Sequence, residues 1–156
     1  MNVRQKNKRK EKGFTIIEVV LVLAIAGLIF LMVFIALPAL QRSQRDTQRK
    51  NDLARVQTAV QNYQSNNRNL LPTFDATFIS QYLTVGGDSF SDPDGTAYAF
   101  QPGPALTTIS FDATKPDMYY TIGASCDGDS VDTGKGTSKV AIQYKLEGGG
   151  IACVNN

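Results

Sequence analysis

The sequence predicts an α+β protein: a long N-terminal helix, apolar in its first half, whose second half packs on a small antiparallel sheet. Three observations carry that expectation. An uncharged run of 22 residues extends from Val19 to Leu40. Leu53, Val56, Val60 and Tyr63 then recur at spacings of 3, 4 and 3, the stripe of an amphipathic helix. Beyond residue 70 the apolar residues alternate instead, most cleanly as Val140, Ile142, Tyr144 and Leu146. At 156 residues the chain has room for one domain and an extension.

The formal charge of +2 hides an asymmetry. Residues 1–12 hold six Lys/Arg (Arg4, Lys6, Lys8, Arg9, Lys10, Lys12) against Glu11, a net of +5, so the remainder is net −3. The basic character therefore belongs to a leader, and no basic nucleic-acid-binding domain is indicated. There are no histidines and only two cysteines. That composition excludes His-based acid–base chemistry and a structural zinc site, and it argues against an enzyme.

As a helix the Val19–Leu40 run is roughly 33 Å long, close to the ~30 Å hydrocarbon core of a bilayer. A secretory signal peptide has a shorter apolar region ending in a small-x-small cleavage site. Leu37-Pro38-Ala39-Leu40-Gln41 offers no such site, so the span is expected to stay attached to the rest of the chain. Arg42, Arg45, Arg49, Lys50 and Arg55, against Asp46 and Asp52, put +3 on its far side. The leader's +5 still favours a cytoplasmic N-terminus. Cysteines confined to the C-terminal part fit an exported, oxidising location for that part.

The junction Gly13-Phe14-Thr15-Ile16-Ile17-Glu18 has a basic leader, Gly, Phe, three further residues, Glu, and then the apolar helix. It resembles the prepilin peptidase site of type IV pilins, type IVa in particular, and of type II secretion pseudopilins. The resemblance implies cleavage between Gly13 and Phe14 and N-methylation of Phe14. It divides the chain into a cleaved leader (1–13), a transmembrane and filament-core helix (14–40), its amphipathic continuation (41–69) and a globular antiparallel-sheet domain (70–156). It implies a pilin α/β-roll fold. It also implies partners: further copies of this chain, a prepilin peptidase, an assembly platform with its ATPase, and the inner membrane before assembly.

Glu18 sits beside a bilayer-spanning run, where a carboxylate is by default a functional hypothesis; the bland reading is a wet interfacial acid. After cleavage the Phe14 amine lies one helical turn before it, and the first turn of a helix favours an anion. By resemblance, Glu18 meets the Phe14 amine of a neighbouring subunit during assembly. Gly27 and Pro38 are helix breakers within the span, and Pro38 lacks the N–H owed to the Phe34 carbonyl. A bend at Pro38 is one reading. Unwinding between Gly27 and Pro38 inside a filament is the other, by resemblance.

Gln41 to Lys50 reads as a solvated helical stretch, with ion pairs Asp46–Lys50 and Asp52–Arg55. Asn66, Asn67 and Asn69 before Leu70-Leu71-Pro72 end the helix. Asp75 is expected to cap a short helix through Leu83 that turns Phe78, Ile79, Tyr82 and Leu83 to the core. Strands are expected at Thr96–Gln101, Met118–Gly123 and Lys139–Leu146, with a last one near Ile151–Val154 after Gly148-Gly149-Gly150, and a weaker candidate at Leu106–Phe111.

So small a core calls for a staple. A Cys126–Cys153 disulfide would contribute roughly 3–4 kcal/mol by loop closure, and it resembles the C-terminal disulfide loop of many type IVa pilins. Two free buried thiols are the alternative. Asp127, Asp129 and Asp132 offer hard oxygen ligands at a spacing that suggests calcium, but the bidentate Glu of an EF-hand is missing, and a solvated acidic loop is the plainer reading. No other cofactor is indicated. Asp92-Pro93-Asp94-Gly95 reads as a turn, similar to an Asp-Pro…Gly element of pseudopilins. The function these features imply is a structural subunit, a major pilin, with a secretion pseudopilin or a minor, DNA-binding competence pilin as alternatives. For the last, Arg42–Arg55 is the one basic stretch available.

Overall fold

The computed structural model describes residues 13–103, 111–112 and 114–156, so the leader residues 1–12 and most of the weak strand candidate, 106–110, lie outside the described residues. The chain divides into two units, Met1–Pro38 and Ala39–Asn156. One helix, α1 (Ile16–Asn66), runs without interruption through Gly27 and Pro38 and supplies the first unit's structure and the start of the second. Every apolar side chain from Phe14 to Phe34 larger than alanine is exposed. Among the described residues of its own unit, nothing covers this surface.

In the second unit the helix buries Leu53, Val56, Ala59 and Val60 against a four-stranded sheet. The sheet comprises β1 (Ala99–Pro102), β2 (Asp117–Ile122), β5 (Val140–Lys145) and β6 (Ile151–Asn155), in the order β1-β2-β5-β6. Two of the three pairings are antiparallel, but β1 runs parallel to β2, with Ala99 opposite Asp117 and Pro102 opposite Tyr120. The fold is thus the expected α+β class, a long helix on a small antiparallel-rich sheet, with one parallel pair at the sheet's edge that the sequence does not announce. The 14 residues between the two strands are long enough for a crossover, which a parallel pair needs and a tight hairpin cannot supply.

Asp75 caps the next element as its sequence suggests, with Oδ1 accepting from the N–H groups of Thr77 and Phe78, both at 2.9 Å. The segment it starts, α2 (Ala76–Phe78), widens at once into a π-turn over Ile79–Leu83. That turn brings Phe78 and Leu83 into the core, with Ile79 and Tyr82 against its edge. Tyr63 at the end of the helix stripe meets Phe78 and Tyr82 edge-on, with ring centroids 6.1 and 5.4 Å away. Of the alternating residues on β2, Met118 is buried and Tyr120 packs against the core, but Ile122 is exposed.

The remaining strands, β3 (Ala124–Asp127) and β4 (Ser130–Thr133), form a separate antiparallel hairpin where the sequence suggests only an acidic loop. It explains an oddity of β5. Val140, Ile142 and Tyr144 belong to the core under the helix, yet Ala141 and Gln143 on the opposite face are just as buried. Gln143 donates from Nε2 to the carbonyl of Asp129 in the hairpin turn (2.8 Å). Its cross-strand partner Cys153 is bonded to Cys126 of β3. Helix, sheet and hairpin are thus three layers with β5 in the middle.

Candidate functional site

The helix begins where its backbone is capped. Thr15 precedes α1, and its N–H and hydroxyl both donate to Glu18 Oε2, at 2.8 and 2.7 Å. In return the Glu18 N–H donates to the Thr15 hydroxyl (3.4 Å). This is a capping box, in which a Thr and a Glu three residues later satisfy each other's free donors. The Thr15-x-x-Glu18 pattern is readable in the sequence, although the reading of the junction passes over it. Glu18 thus takes Thr15 as its partner, and the Phe14 nitrogen is part of the Gly13–Phe14 peptide bond. Gly13, Phe14 and Thr15 stand outside the helix, and the Phe14 side chain is 87 % exposed. The scissile position inferred from the junction is unencumbered on the described side.

The stretch expected to be solvated is not. Asp46 and Arg49 continue the buried stripe of Leu53, Val56 and Val60 by the same 3- and 4-residue steps, and Arg49 is only 1 % exposed. Its guanidinium donates from Nε and Nη2 to the two oxygens of Asp92 (2.7 and 2.8 Å), a bidentate fork. Nη1 reaches Asp46 (3.0 Å) and Glu147 (3.2 Å), and the group lies 4.6 Å from the ring centre of Phe111. Tyr144 donates its hydroxyl to Asp92 (2.9 Å). Asp46 accepts the N–H groups of Glu147 (2.9 Å) and Gly148 (2.7 Å). A Cβ added at Gly148 would lie 2.9 Å from that same carboxylate, so a larger residue there would push the Asp46 side chain off these N–H groups.

Asp46 thus pairs with Arg49, not with Lys50 as the spacing suggests; the expected Asp52–Arg55 pair is present at 3.3 Å. Asp52 also accepts from the Tyr98 hydroxyl (3.1 Å). Glu147 gathers Arg42 (3.7 Å), both Nε and Nη2 of Arg45, and Arg49. Of the five cations between Arg42 and Arg55, only Lys50 has no carboxylate partner among the described residues. The basic stretch is largely neutralised from within.

These contacts set the titration of the acids. The Arg45 hydrogen bonds, with Arg49 behind them, hold the Glu147 carboxyl down at about 2. Burial alone would push Asp92 up, but the Arg49 fork and the Tyr144 hydroxyl outweigh it and keep it below the ordinary aspartate range. Asp52 goes the other way: burial raises it, and Tyr98 and Arg55 offset only part of that. Among the described residues no buried side-chain nitrogen or oxygen lacks a partner.

Cys126 and Cys153 form a disulfide with Cα atoms 5.8 Å apart, joining β3 to β6. Asp127, Asp129 and Asp132 lie along the β3–β4 hairpin, where Asp132 pairs with Lys135 (2.6 Å). They do not converge, and among the described residues no group of three His, Cys, Asp or Glu could hold a metal ion. The spacing that suggests calcium is undone by the strands, which spread alternate residues along a ladder. The Asp92-Pro93-Asp94-Gly95 segment is a turn, with Gly95 N–H on the Asp92 carbonyl (2.8 Å), but its first carboxylate is the anchor of Arg49.

Comparison with known proteins adds one finding. Residues 8–34 match the family model of the prokaryotic N-terminal methylation motif. That motif is the signature of type IV pilin and pseudopilin prepilins, and here it spans the end of the leader, Gly13, Phe14, Glu18 and much of the apolar run. It implies processing by a prepilin peptidase and assembly into a pilus-like polymer, and the apolar helix fits anchoring in the inner membrane beforehand. No curated protein and no solved structure matches the chain.

Proposed function

We propose that this chain is a structural subunit, the major pilin of a type IV pilus. Its leader is removed between Gly13 and Phe14, Phe14 is N-methylated, and the subunit waits in the cytoplasmic membrane with its N-terminus inside. An ATP-driven assembly platform then transfers it to a surface filament that serves motility, adhesion or DNA uptake. The observation that carries this reading is the methylation motif over residues 8–34, set on a helix whose apolar surface is uncovered. In a filament the same surface faces other copies instead of lipid, and Glu18 exchanges Thr15 for the Phe14 amine of a neighbour. Gly27 and Pro38 are the places where that packing would unwind α1. No catalysis belongs to this reading.

Two features lean toward a secretion pseudopilin, and each has another explanation. Asp92 of the Asp-Pro turn is committed to Arg49, and the three hairpin aspartates do not converge. The DNA-binding alternative has lost most of its cations to internal partners. The test is electron microscopy of sheared surface material with N-terminal sequencing of its protein. Fibres whose subunit begins at methylated Phe14 support the proposal. A subunit starting at Met1 or near Gln41 ends it, and a correctly cleaved chain found only in a secretion complex would favour the pseudopilin.

A further inference from the structure

We propose that the β3–β4 hairpin is a hinged flap, latched by the Cys126–Cys153 disulfide, which swings away from the sheet on reduction while the helix–sheet core stays folded. The flap belongs to the second unit alone and does not depend on the filament reading.

Three observations support a flap rather than a layer of the core. The first is its attachment. Glycines at positive φ stand at both ends, Gly123 (φ 73°) before it and Gly134 and Gly136 (φ 83° and 94°) after it. Gly123 donates to Lys139 (2.7 Å) and accepts from Lys135 (2.8 Å), so the two ends are pinched together at one base. The second is what the flap lacks. None of residues 124–133 belongs to the hydrophobic cluster that holds helix and sheet together. A two-stranded hairpin has marginal stability by itself, so this one depends on what fastens it.

The third is how it is fastened and what lies beneath. Besides the disulfide, its fastenings among the described residues include the Gln143 bond to Asp129 and a bond from the Cys126 N–H to the Asn155 side chain (3.1 Å). The face it covers carries Ala141, Gln143 and Cys153, and the flap's own fully buried residue is Ala124, so opening exposes two alanines, an amide and a cysteine rather than any large apolar side chain of the core cluster. The opposite face of the same strands carries Ile142, Tyr144 and Val154, in or against the core. Opening the flap therefore wets a tolerant surface and leaves the apolar one closed. Local opening of this kind needs far less free energy than global unfolding.

The covalent step is thiol–disulfide exchange with a small dithiol. One dithiol sulfur attacks and displaces one cysteine thiolate. The second dithiol sulfur then releases the other cysteine. Two protein thiols and one cyclic disulfide of the reagent result, with two electrons and two protons passed to the protein.

Amide hydrogen exchange on the full chain in detergent, with and without the dithiol, tests the proposal. Reduction should speed exchange across residues 124–135 by about ten-fold or more, while residues 53–60 and 140–145 stay within about two-fold of the oxidised protein. A C126S/C153S double variant should show the same pattern without reagent. Should that variant fail to accumulate, reduction of the folded wild-type chain decides alone. Equal acceleration of 140–145 would make the hairpin an integral part of the core, and unchanged exchange in 124–135 would mean that the disulfide latches nothing; either result overturns the proposal.

Discussion

The two halves of helix α1 handle polar chemistry in opposite ways. In residues 16–38 the side chains are almost all apolar and exposed, and the single carboxylate, Glu18, is satisfied by a residue three positions away. In residues 39–66 the helix carries many charges, and it buries three of them, Asp46, Arg49 and Asp52, against partners 43 to 102 residues away. The first half settles its polar groups locally and leaves its apolar surface for something outside the chain. The second half closes its apolar stripe within the chain and spends its charges on the same closure. One half is prepared for a partner. The other is finished.

The largest effect is expected from changing the one polar group of the open half. Glu18→Ala removes the carboxylate without touching the second unit. On the proposed function, the variant is cleaved at Gly13 and held in the membrane, yet yields few or no fibres by electron microscopy of sheared material. Fibres at wild-type abundance would make Glu18 a mere interfacial acid and leave the apolar surface as the whole of the assembly signal.

Arg49→Ala tests the closed half. It strands Asp92, 2 % exposed, beside Glu147 and Asp46 with no cation between them. Breaking one partner out of a buried pair costs about 3–5 kcal/mol, a large share of the stability of a unit this size. Arg49→Lys should recover only part of the loss, since an ammonium cannot form the fork to Asp92 and still reach Glu147. Urea or thermal melts of the full chain in detergent supply the measurement. A midpoint unchanged for Arg49→Ala would mean that water replaces the arginine and that the burial counts for nothing.

Acid should loosen the second unit more gently, and the sign comes from the shifts. Glu147 titrates at about 2 in the folded chain against an ordinary 4.5, so the stability it lends is complete above 4.5 and lost as pH falls toward 2. Asp92, also lowered, contributes in the same direction. Asp52 is raised, so its protonation favours the folded state as pH falls and offsets part of the loss. The melting temperature should therefore fall between about pH 4.5 and 2. Glu147→Gln should lower it at neutral pH and flatten that slope. A variant slope as steep as wild type would show that the Arg42, Arg45 and Arg49 contacts do not govern the acid response.

Much of the open half is legible in the sequence because its chemistry is local. The Gly13-Phe14 junction and the Thr15-x-x-Glu18 box lie within about one helical turn of what they specify, and the apolar run is contiguous, so its length is read directly, even though the box is easily overlooked beside the junction. The closed half is legible only in its apolar pattern. Leu53, Val56 and Val60 announce a buried stripe, and Val140, Ile142 and Tyr144 announce a strand facing it. Asp46 and Arg49 lie on the same stripe, but a charged residue is read as solvated unless its partner is known. Here the partners come from the turn after residue 91 and the turn after β5.

The α+β class, the apolar span, the prepilin junction, the cap at Asp75 and the candidacy of two cysteines are all set by the chain's own order, because each rests on periodicity, composition or near neighbours. Tertiary packing was needed to show that β1 runs parallel to β2, that Arg49 is a buried hub, and that the expected acidic loop is a hairpin over Ala141 and Gln143. Each of those depends on which distant segments share a face. Hydrogen bonds and ion pairs act over a few ångströms, so residues like Arg49 and Asp92, 43 positions apart, become a pair only when packing of the apolar stripe has brought them together.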